Sequence, residues 1–349
     1  MFRPLSHLLA ALCVLLLATL SLPAHAAAPL GKVLLVISSH GAAAGQERPG
    51  FEMDELSQAY AVFADNGFSV DIASPQGGEP VADKYDPAKP YNARVLNDPA
   101  FMARFRQTRR LSDAQAISYR AIFVIGGKGA MFDLPTNADL KRLIATTYEA
   151  GGVIGAVCHG PMVLANLQLS DGHPLIAGRK VTGFSNEEEK LFGKRWVPHF
   201  PALLEDALRG AGGQFSKAAF MLDHVVVDRR LVTGQNPYST LRTAEAVVAA
   251  LGHPVVPRQP HADERSIAAI GAMLGGARAE VAQAIAAKPE HYDIPLIAVW
   301  GYYRTLQAQT DRTMLAEGLA VMEVAAPHFN DPQLKSAMEE ARQRLARSQ

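Results

Sequence analysis

The sequence predicts an α/β protein, with a doubly wound, mostly parallel sheet and an α-helical C-terminal appendage. Apolar runs of strand length, such as 33–37 and 121–125, alternate with helix-like segments such as 53–66 and 137–149. Runs of this kind suit parallel strands buried on both faces, and the alternation covers the sheet with helices on both sides. Beyond 262 the apolar residues recur only at helical spacing, which predicts the appendage.

One segment interrupts this alternation. Residues 75–118 are polar and rich in Asp, Pro and Arg, which predicts a loop, and loops of this length often act as lids. Because ligands bind beyond the carboxyl ends of parallel strands, the functional site is expected at that edge of the sheet. The remaining predicted strands cover 69–73, 153–157, 180–182, 224–227 and 231–233, and the remaining helices of this part begin near 161, 201 and 239.

The first 26 residues are predicted to be a secretory signal peptide (1–26). An apolar block from 8 to 22 follows a basic residue, and the small-x-small pattern Ala24-His25-Ala26 provides a cleavage site. A membrane anchor is the weaker interpretation, because the block is short for a span and breaks at Pro23. The predicted location is the periplasm, after export across the inner membrane, with no membrane contact once the leader is removed.

Three segments are predicted after the leader. Residues 27–252 form the α/β domain, 253–262 form a proline-containing linker, and 263–349 are helical. The helical pairs weakly resemble one tetratricopeptide-like unit with a capping helix. Three aromatic residues of the helical segment are predicted to be packing residues: Trp300, Tyr302 and Tyr303.

The composition bounds the class of function. With 34 basic and 34 acidic residues and 48% hydrophobic residues, the chain has the balance of an ordinary globular protein and no excess of basic residues for nucleic acid. Its cysteines are Cys13, in the leader, and Cys158. An exported chain with one remaining thiol can form no internal disulfide, so Cys158 is predicted to serve chemistry.

Cys158 lies in the run Ala156-Val157-Cys158-His159-Gly160-Pro161, between a strand and a helix-like segment. This spacing is typical of a nucleophile elbow, in which small neighbours tolerate a strained backbone and the side chain points to the next helix. The helix dipole and free N–H groups there are expected to favour the thiolate. The alternative is a buried structural cysteine, which the spacing disfavours.

Other groups are expected at the same edge of the sheet. His159 and the turn Gly126-Gly127 offer backbone N–H groups for an oxyanion, although Gly-Gly after a strand is as often an ordinary tight turn. The acidic clusters Asp54-Glu55 and Glu187-Glu188-Glu189 offer a proton acceptor, although their spacing alone is more typical of solvated helix caps. The histidines show no metal-ligand spacing, so no metal site is predicted.

Six motifs follow one another between Gly31 and Leu251: MDEL at 53–56, ASPQGG at 73–78, GGKGAMFDLP at 126–135, AVCHGP at 156–161, VTGFSNEEE at 181–189 and LVTGQNP at 231–237. Together they resemble the class I glutamine-amidotransferase-like superfamily, in its PfpI-type branch. That branch includes the parkinsonism-associated deglycase, glutathione-independent glyoxalase (glyoxalase III) and a group of holding chaperones. The resemblance implies a flavodoxin-like, glutamine-amidotransferase-like fold and does not extend to the helical tail.

The resemblance implies a role for each matching residue. Cys158 is implied to be the nucleophile, and Glu55 the carboxyl group that bonds to its sulfur and shuttles a proton. His159 and Glu189 are implied to complete a triad-like arrangement, and the N–H groups of Gly127 and His159 to bind the oxyanion. A carboxyl group buried beside a thiolate is expected to have a raised pKa, because a second negative charge there is disfavoured.

The implied activity is that of a glyoxalase or deglycase-like enzyme acting on a small carbonyl substrate such as methylglyoxal. Cys158 attacks the aldehyde, and the hemithioacetal loses a C–H proton to Glu55. The resulting enediol is held by the oxyanion N–H groups, and water releases the 2-hydroxy acid. No cofactor is required.

Two positions depart from the glyoxalase and chaperone subgroup of the family. Lys128 stands where that subgroup usually carries His after Gly-Gly, and Gln58-Ala59 stands where it usually carries His-Pro. With Asn236 and Pro237, Lys128 and Gln58 are predicted to line the substrate pocket. The departures predict a changed substrate or a reduced glyoxalase activity.

Two other functions stay open at this point. One is a holding chaperone or thiol redox sensor, in which Cys158 is oxidised or apolar surface captures unfolded clients. The other is an amide hydrolase, a peptidase or glutaminase, with the same nucleophile. Superfamily members commonly dimerise, so a homodimer is one expected assembly, and the helical tail is a candidate surface for a protein partner. No nucleic acid partner is expected.

Overall fold

The computed structural model describes residues 29–41, 47–115 and 119–347. The predicted signal peptide, 1–26, lies outside these residues. Every strand predicted from the sequence falls within them. None of the helices they form is both long enough and apolar enough to cross a membrane.

The strands are β1 (Lys32–Val36), β2 (Ser69–Ser74), β3 (Arg109–Arg110), β4 (Ala121–Val124), β5 (Val153–Val157), β6 (Lys180–Val181), β7 (Gln214–Phe215), β8 (Val225–Asp228) and β9 (Leu231–Gly234). Seven of them form one sheet in the order β3-β2-β1-β4-β5-β9-β8. Its strand pairs are parallel, apart from β8 against β9. The predicted doubly wound, mostly parallel sheet is therefore confirmed.

The strand predicted at 180–182 is outside this sheet. Its residues form β6, which pairs with β7 in a separate two-stranded sheet. After these two residues, the backbone N–H of Thr182 donates to the side chain of Thr233 in β9 at 2.9 Å and not to a backbone carbonyl of β7. The ladder therefore stops after two residues.

The central strands carry apolar side chains to both faces of the sheet. Leu34 of β1 and Ile122 of β4 belong to one buried cluster, and Leu35 and Phe123 belong to the other. Successive side chains of a strand point to opposite faces, so a continuous apolar run needs a covering layer on each side. A Cβ at Gly155 of β5 would lie 2.5 Å from the Phe123 ring, so glycine is needed beside that ring.

Helices supply the two covering layers and the appendage. They are α1 (Met53–Asp65), α2 (Pro90–Leu96), α3 (Pro99–Arg106), α4 (Ala130–Asp133), α5 (Ala138–Glu149), α6 (Asn186–Phe192), α7 (Leu204–Gly210), α8 (Thr240–Ala250), α9 (Ala262–Leu274), α10 (Arg278–Ala287), α11 (Ile294–Ala308), α12 (Arg312–Ala325) and α13 (Pro332–Arg347). The side chain of Glu52 caps α1 at its start. Gly67, with φ of +82°, turns the chain from α1 into β2.

The segment 75–118 is not the open loop that its polarity predicts. It contains α2, α3 and β3, and Asp98 caps α3 ahead of a proline in the first turn. Phe101 and Phe105 of α3 are buried, and the Phe101 ring lies 4.8 Å from that of Tyr60 in α1. The described part of this segment is therefore a packed layer over α1, and the prediction of a loop is wrong for α2 and α3.

Helices α9 to α13 form the predicted helical appendage. Gly301 of α11 and Gly318 of α12 let the two backbones touch, because a Cβ on Gly301 would lie 2.7 Å from the Gly318 carbonyl oxygen. Residues 253–261 contain no helix or strand. The exact boundaries of the α/β domain, linker and helical segment, and the tetratricopeptide-like interpretation, stay predictions.

The aromatic residues of α11 divide between two faces. Trp300 is 2% exposed and packs in the core of the appendage, as predicted. Tyr303 packs against the same core from a partly buried position. Tyr302 is 40% exposed, so its prediction as a packing residue is wrong. It shares the outer face of α11 with the exposed residues Val299 and Leu306.

Candidate active site

The backbone at Cys158 has the strained form predicted for an elbow. Cys158 follows β5 directly and has a φ of +59°, in a region that residues with side chains rarely adopt. Its N–H donates to the carbonyl of Gly234 at 3.0 Å, and its carbonyl accepts the N–H of Phe184 at 2.8 Å. A Cβ at Gly160 would collide with the carbonyl of Val124, so this small neighbour is required.

The segment after Cys158 and the state of its thiol differ from expectation. A short 3₁₀ helix, Gly160–Asn166, stands where an α-helix is predicted. Cys158 is 3% exposed, and burial, followed by the charge of Glu55, raises the pKa of its thiol well above the usual range. The N–H of Gly127 lowers that pKa and is outweighed. The prediction that a helix N-terminus favours the thiolate is therefore wrong in its net direction.

Glu55 comes from the first turn of α1 and is fully buried. Its Oε2 accepts the backbone N–H of Gly126 at 2.7 Å. Burial raises the pKa of the Glu55 carboxyl well above its usual range, and the charge of nearby Glu52 raises it further. The expected rise in this pKa is confirmed.

Glu55 and Cys158 form a coupled pair beside Gly126. A Cβ on Gly126 would lie 2.7 Å from Cys158 Cβ and 2.9 Å from Glu55 Oε2, so both side chains crowd one point. The carboxyl and the thiol interact directly, and an ionised Glu55 holds the proton on the sulfur. Because two adjacent buried negative charges are disfavoured, the pair does not lose both protons together. Such a pair can donate a proton and take one back.

His159 connects the sulfur to a second carboxylate. Cys158 Sγ lies 3.3 Å from His159 Nδ1, and His159 Nε2 lies 2.9 Å from Glu189 Oε2. All three side chains are buried. The Phe184 ring stacks on the imidazole with the centroids 4.4 Å apart. The order sulfur, imidazole, carboxylate is the geometry of a triad, in which the carboxylate orients the ring.

Glu189 is presented by the short helix α6. Ser185 caps this helix and exchanges hydrogen bonds with Glu188 in a capping box. Gly193 ends the helix, and a Cβ there would collide with Glu189 Oε1. The position of the Glu189 carboxylate therefore depends on a glycine four residues further along the chain.

The predicted oxyanion donors lie on either side of the sulfur. Gly127 has a φ of +87°, and a Cβ there would lie 2.5 Å from the backbone nitrogen of Glu52, so two independent constraints require glycine. Its backbone N–H lowers the pKa of the Cys158 thiol. The N–H of His159 follows Cys158 directly in the chain.

The part of the chain that the structure describes contains no cluster of three metal-ligating side chains.

Comparison with known proteins identifies the family. The family model described as "DJ-1/PfpI family" matches residues 47–250, more than half of the chain. The chain belongs to the DJ-1/PfpI family. The match ends at 250, so helices α9 to α13 lie outside the family domain.

Several relatives of this DJ-1/PfpI chain carry glyoxalase names. "Glyoxalase 3" of Candida albicans is 30% identical over 63% of this chain and 98% of its own length. "Glutathione-independent glyoxalase HSP31" of Saccharomyces cerevisiae is also 30% identical, over 63% of this chain and 98% of its own length. The crystal structure of glyoxalase III from Candida albicans has a TM-score of 0.57 and 29% identity, and it covers 63% of this chain and 97% of its own. The Rapid Encystment Protein 24 KDa of Francisella tularensis has a TM-score of 0.59 and 34% identity, with coverage of 64% and 99%.

The four residues predicted to line the substrate pocket do not all come together in this DJ-1/PfpI structure. Gln58 and Pro237 line a groove of about 420 Å³ at the start of α1, where Glu52 also contributes. Lys128 does not line this groove. Its backbone N–H and its charge both lower the pKa of the Asp83 carboxyl. Asp83 also accepts the N–H of Gly50 at 2.7 Å.

Asn236 is a correction to the predicted pocket. Its side chain is fully buried, and its Nδ2 donates to Glu188 Oε1 at 2.9 Å and to the carbonyl of Leu222 at 2.7 Å. Its Oδ1 accepts the N–H of Tyr238 at 3.1 Å. With donor and acceptor both used inside the protein, Asn236 supports α6 and does not face a substrate.

Sequence reasoning missed the roles of Glu52 and Glu188. Burial raises the pKa of Glu52 to about 7, and the charges of Asp54 and Asp83 add to the rise. Its place just before a predicted helix was the available signal. Glu188 is buried and also accepts the backbone N–H of Met221 at 2.8 Å. The capping box with Ser185 is a local pattern, but the partners Met221 and Asn236 lie far away in the sequence, so no local pattern pointed to them.

Proposed function

We propose that this chain is a glutathione-independent glyoxalase that converts a 2-oxoaldehyde to a 2-hydroxy acid through Cys158. The observation that carries the proposal is the buried pair of Glu55 and Cys158, whose side chains meet beside Gly126 and place a carboxyl group next to the nucleophile. The triad contacts of His159 and Glu189 support it from the other side of the sulfur. The names of relatives that align over almost their whole length support the same activity.

The reaction begins when the Cys158 sulfur attacks the aldehyde carbon. An S–C bond forms, the aldehyde oxygen takes the proton that the pair holds, and a hemithioacetal results. Glu55, now a carboxylate, removes the proton from that carbon, and the C–H electron pair moves into an enediolate. The C–H proton returns from Glu55 to the neighbouring carbon, and the hydroxyl proton moves from the former aldehyde oxygen to the neighbouring oxygen, so the former aldehyde carbon becomes the carbonyl of a thioester. Water cleaves the thioester, which releases the 2-hydroxy acid and restores the thiol.

The electrostatics of the site suit each of these steps. A carboxylate with a raised pKa is a stronger base toward a C–H proton, and the Glu55 acid then returns that proton. The N–H groups of Gly127 and His159 stabilise the negative oxygen of the enediolate. The His159 ring, oriented by Glu189, activates the water that cleaves the thioester. One water is consumed, and the two substrate carbons exchange oxidation states without an external oxidant.

The test is the formation of 2-hydroxy acid by the purified protein in buffer without glutathione. We expect lactate from methylglyoxal at a rate that added glutathione does not change, because the Cys158 thiol does the work of a thiol cofactor. Glyoxal and phenylglyoxal, measured alongside, show whether Lys128 and Gln58 change the substrate preference. Heat-denatured protein is the control. If none of the three aldehydes gives a 2-hydroxy acid, the proposal is wrong.

The alternative functions stay predictions from the sequence. A holding chaperone would work without the sulfur, so suppression of client aggregation by the Cys158→Ala protein would favour that alternative. An amide hydrolase would use the same triad, so peptide and glutamine hydrolysis are measured on the same preparation. Amide products without any lactate would favour the hydrolase over the glyoxalase.

We also infer that the enzyme is exported to the periplasm, on the leader pattern at 1–26. Mass spectrometry of the protein from a periplasmic fraction is expected to find a chain that begins at Ala27. An intact chain that begins at Met1 and stays in the cytoplasmic fraction would contradict export. The glyoxalase assay does not depend on this result.

A further inference from the structure

One face of α11 contacts the helix that supplies Glu189. Trp300, Tyr303, Arg304 and Gln307 recur at intervals of three and four residues, so they share a side of α11. This side meets α6 and the segment around Phe220, whereas Val299, Tyr302 and Leu306 are exposed on the outer side. We call the first group the inner face of α11.

The inner face binds the first turn of α6 through Glu187. Arg304 Nη1 lies 3.6 Å from Glu187 Oε1, and Gln307 Nε2 donates to the same oxygen. Arg304 is itself held in place, because its Nε and Nη2 donate to Glu317 Oε2 at 2.9 and 2.6 Å. Its side chain is only 11% exposed. A guanidinium fixed in this way is a rigid anchor, and solvent screens its charge less than at the surface.

The inner face also holds the last turn of α6. The rings of Tyr303 and Phe192 meet edge to face with centroids 5.0 Å apart. Trp300 stacks on Phe220 at 4.8 Å, and its Nε1 donates to the Phe220 carbonyl at 3.0 Å. The next residue, Met221, donates its N–H to Glu188 at 2.8 Å. Both ends of α6 therefore depend on α11.

A helix of seven residues does not keep its geometry by itself, because the first turn costs more conformational entropy than so few hydrogen bonds offset. We propose that α11 is a positioning element of the active site, which holds α6 in the register where Glu189 meets His159. Arg304 and Gln307 are then positioning residues that act through Glu187. The inference rests on the proposed function, in which Glu189 orients the imidazole. It makes the helical appendage, which lies outside the family match, a part of the catalytic apparatus.

The test compares three variants of the full chain. Arg304→Ala/Gln307→Ala removes the anchor from the inner face. Val299→Ala/Leu306→Ala trims two side chains on the outer face of the same helix and is the matched control. Gly193→Ala displaces the Glu189 carboxylate directly and shows the size of effect to expect when the triad contact is lost.

Two measurements are made on each variant. The first is kcat and KM for the 2-oxoaldehyde. The second is the pH dependence of Cys158 alkylation by iodoacetamide, followed on the Cys158 peptide by mass spectrometry. Alkylation needs no substrate, so it reports on the triad even if the protein makes no 2-hydroxy acid. Absence of product from wild type would refute the proposed function, and the alkylation profile would still decide the present inference.

For Arg304→Ala/Gln307→Ala we expect kcat to fall about tenfold or more, with KM within about twofold of wild type. Without the Glu189 carboxylate to orient it, the His159 ring no longer holds its Nδ1 beside the sulfur, so the thiolate is less populated at a given pH. The midpoint of Cys158 alkylation is therefore expected to rise by about half a pH unit or more. Gly193→Ala is expected to move both readouts in the same direction, and the outer-face control to move neither.

Wild-type kcat and an unshifted alkylation profile in a folded Arg304→Ala/Gln307→Ala protein would overturn the inference. If that variant does not fold, Gln307→Glu replaces it, since this change keeps the side-chain volume, removes the Nε2 donor to Glu187 and competes with Glu187 for Arg304, whose Nη1 already donates to Gln307 Oε1 at 3.0 Å. A folded Gln307→Glu protein is expected to show the same lower kcat and higher alkylation midpoint. If it matches wild type in both, the inference is overturned equally.

Discussion

Cys158→Ala is expected to form no detectable 2-hydroxy acid from methylglyoxal, a loss of about 10³-fold or more, because no sulfur is left to bond to the aldehyde carbon. The fold is expected to survive, since alanine keeps the Cβ and makes the same backbone hydrogen bonds to Gly234 and Phe184. The free energy of unfolding is expected to stay within about 1 kcal/mol of wild type. Lactate formation and urea unfolding are measured on one preparation.

Cys158→Ser is the matched control for this experiment. Serine keeps the size and the hydrogen-bonding capacity of the side chain, but its hydroxyl is a much weaker nucleophile at neutral pH. We expect about 1% of wild-type activity or less. Substantial lactate formation by folded Cys158→Ala would show that the sulfur is not the nucleophile and would remove the proposed mechanism.

Glu55→Gln is expected to lower kcat by about 10²- to 10⁴-fold, with a small change in KM. Glutamine can still accept the N–H of Gly126, but it can neither remove the C–H proton nor return it. The thiol is expected to respond in the opposite sense. Removing the carboxylate charge that raises the pKa of Cys158 favours the thiolate, so alkylation of Cys158 near pH 7 is expected to become faster while turnover is lost.

This pair of opposite effects separates a proton shuttle from a merely structural residue, whose loss would slow both processes or neither. Glu290→Gln, at an exposed position, makes the same change of charge and is expected to behave as wild type. The proton-shuttle role would be contradicted if Glu55→Gln kept more than about a tenth of the wild-type kcat. Slower alkylation of Cys158 in that variant would contradict the coupling.

The sheet and the elbow could be predicted because their signals are local. The apolar runs at β1, β4 and β5 follow from burial on both faces of the sheet. The small residues around Cys158 follow from a turn with no room for side chains. The predicted topology places Glu55 at the same edge of the sheet as that turn, but only the resemblance gives it a role at the sulfur, since its spacing alone resembles an ordinary helix cap. In the structure the Glu55 side chain is fully buried.

What the sequence does not predict depends on partners that are distant in the chain. Asn236 is a polar residue of the kind that lines pockets, but its side-chain amide donates a hydrogen bond to Glu188, 48 positions away. Burial raises the pKa of the Cys158 thiol and the N–H of Gly127 lowers it. No sequence motif indicates which of the two effects is larger. Helix α3 begins with a recognisable signal, Asp98 followed by a proline. The many polar residues around it favoured a loop, so the burial of Phe101 and Phe105 was not predicted.

The shared apolar cluster of the appendage has a consequence for dissecting this protein. Phe220, with Leu191 and Phe192 beside it, belongs to the family domain but packs with Trp300 and its neighbours. A fragment trimmed to the length of the glyoxalase relatives would expose these apolar side chains to water and would lack the contacts of α11 with α6. Such a fragment is expected to aggregate and to have a low kcat. Fragments for expression and crystallisation therefore need the C-terminal helices.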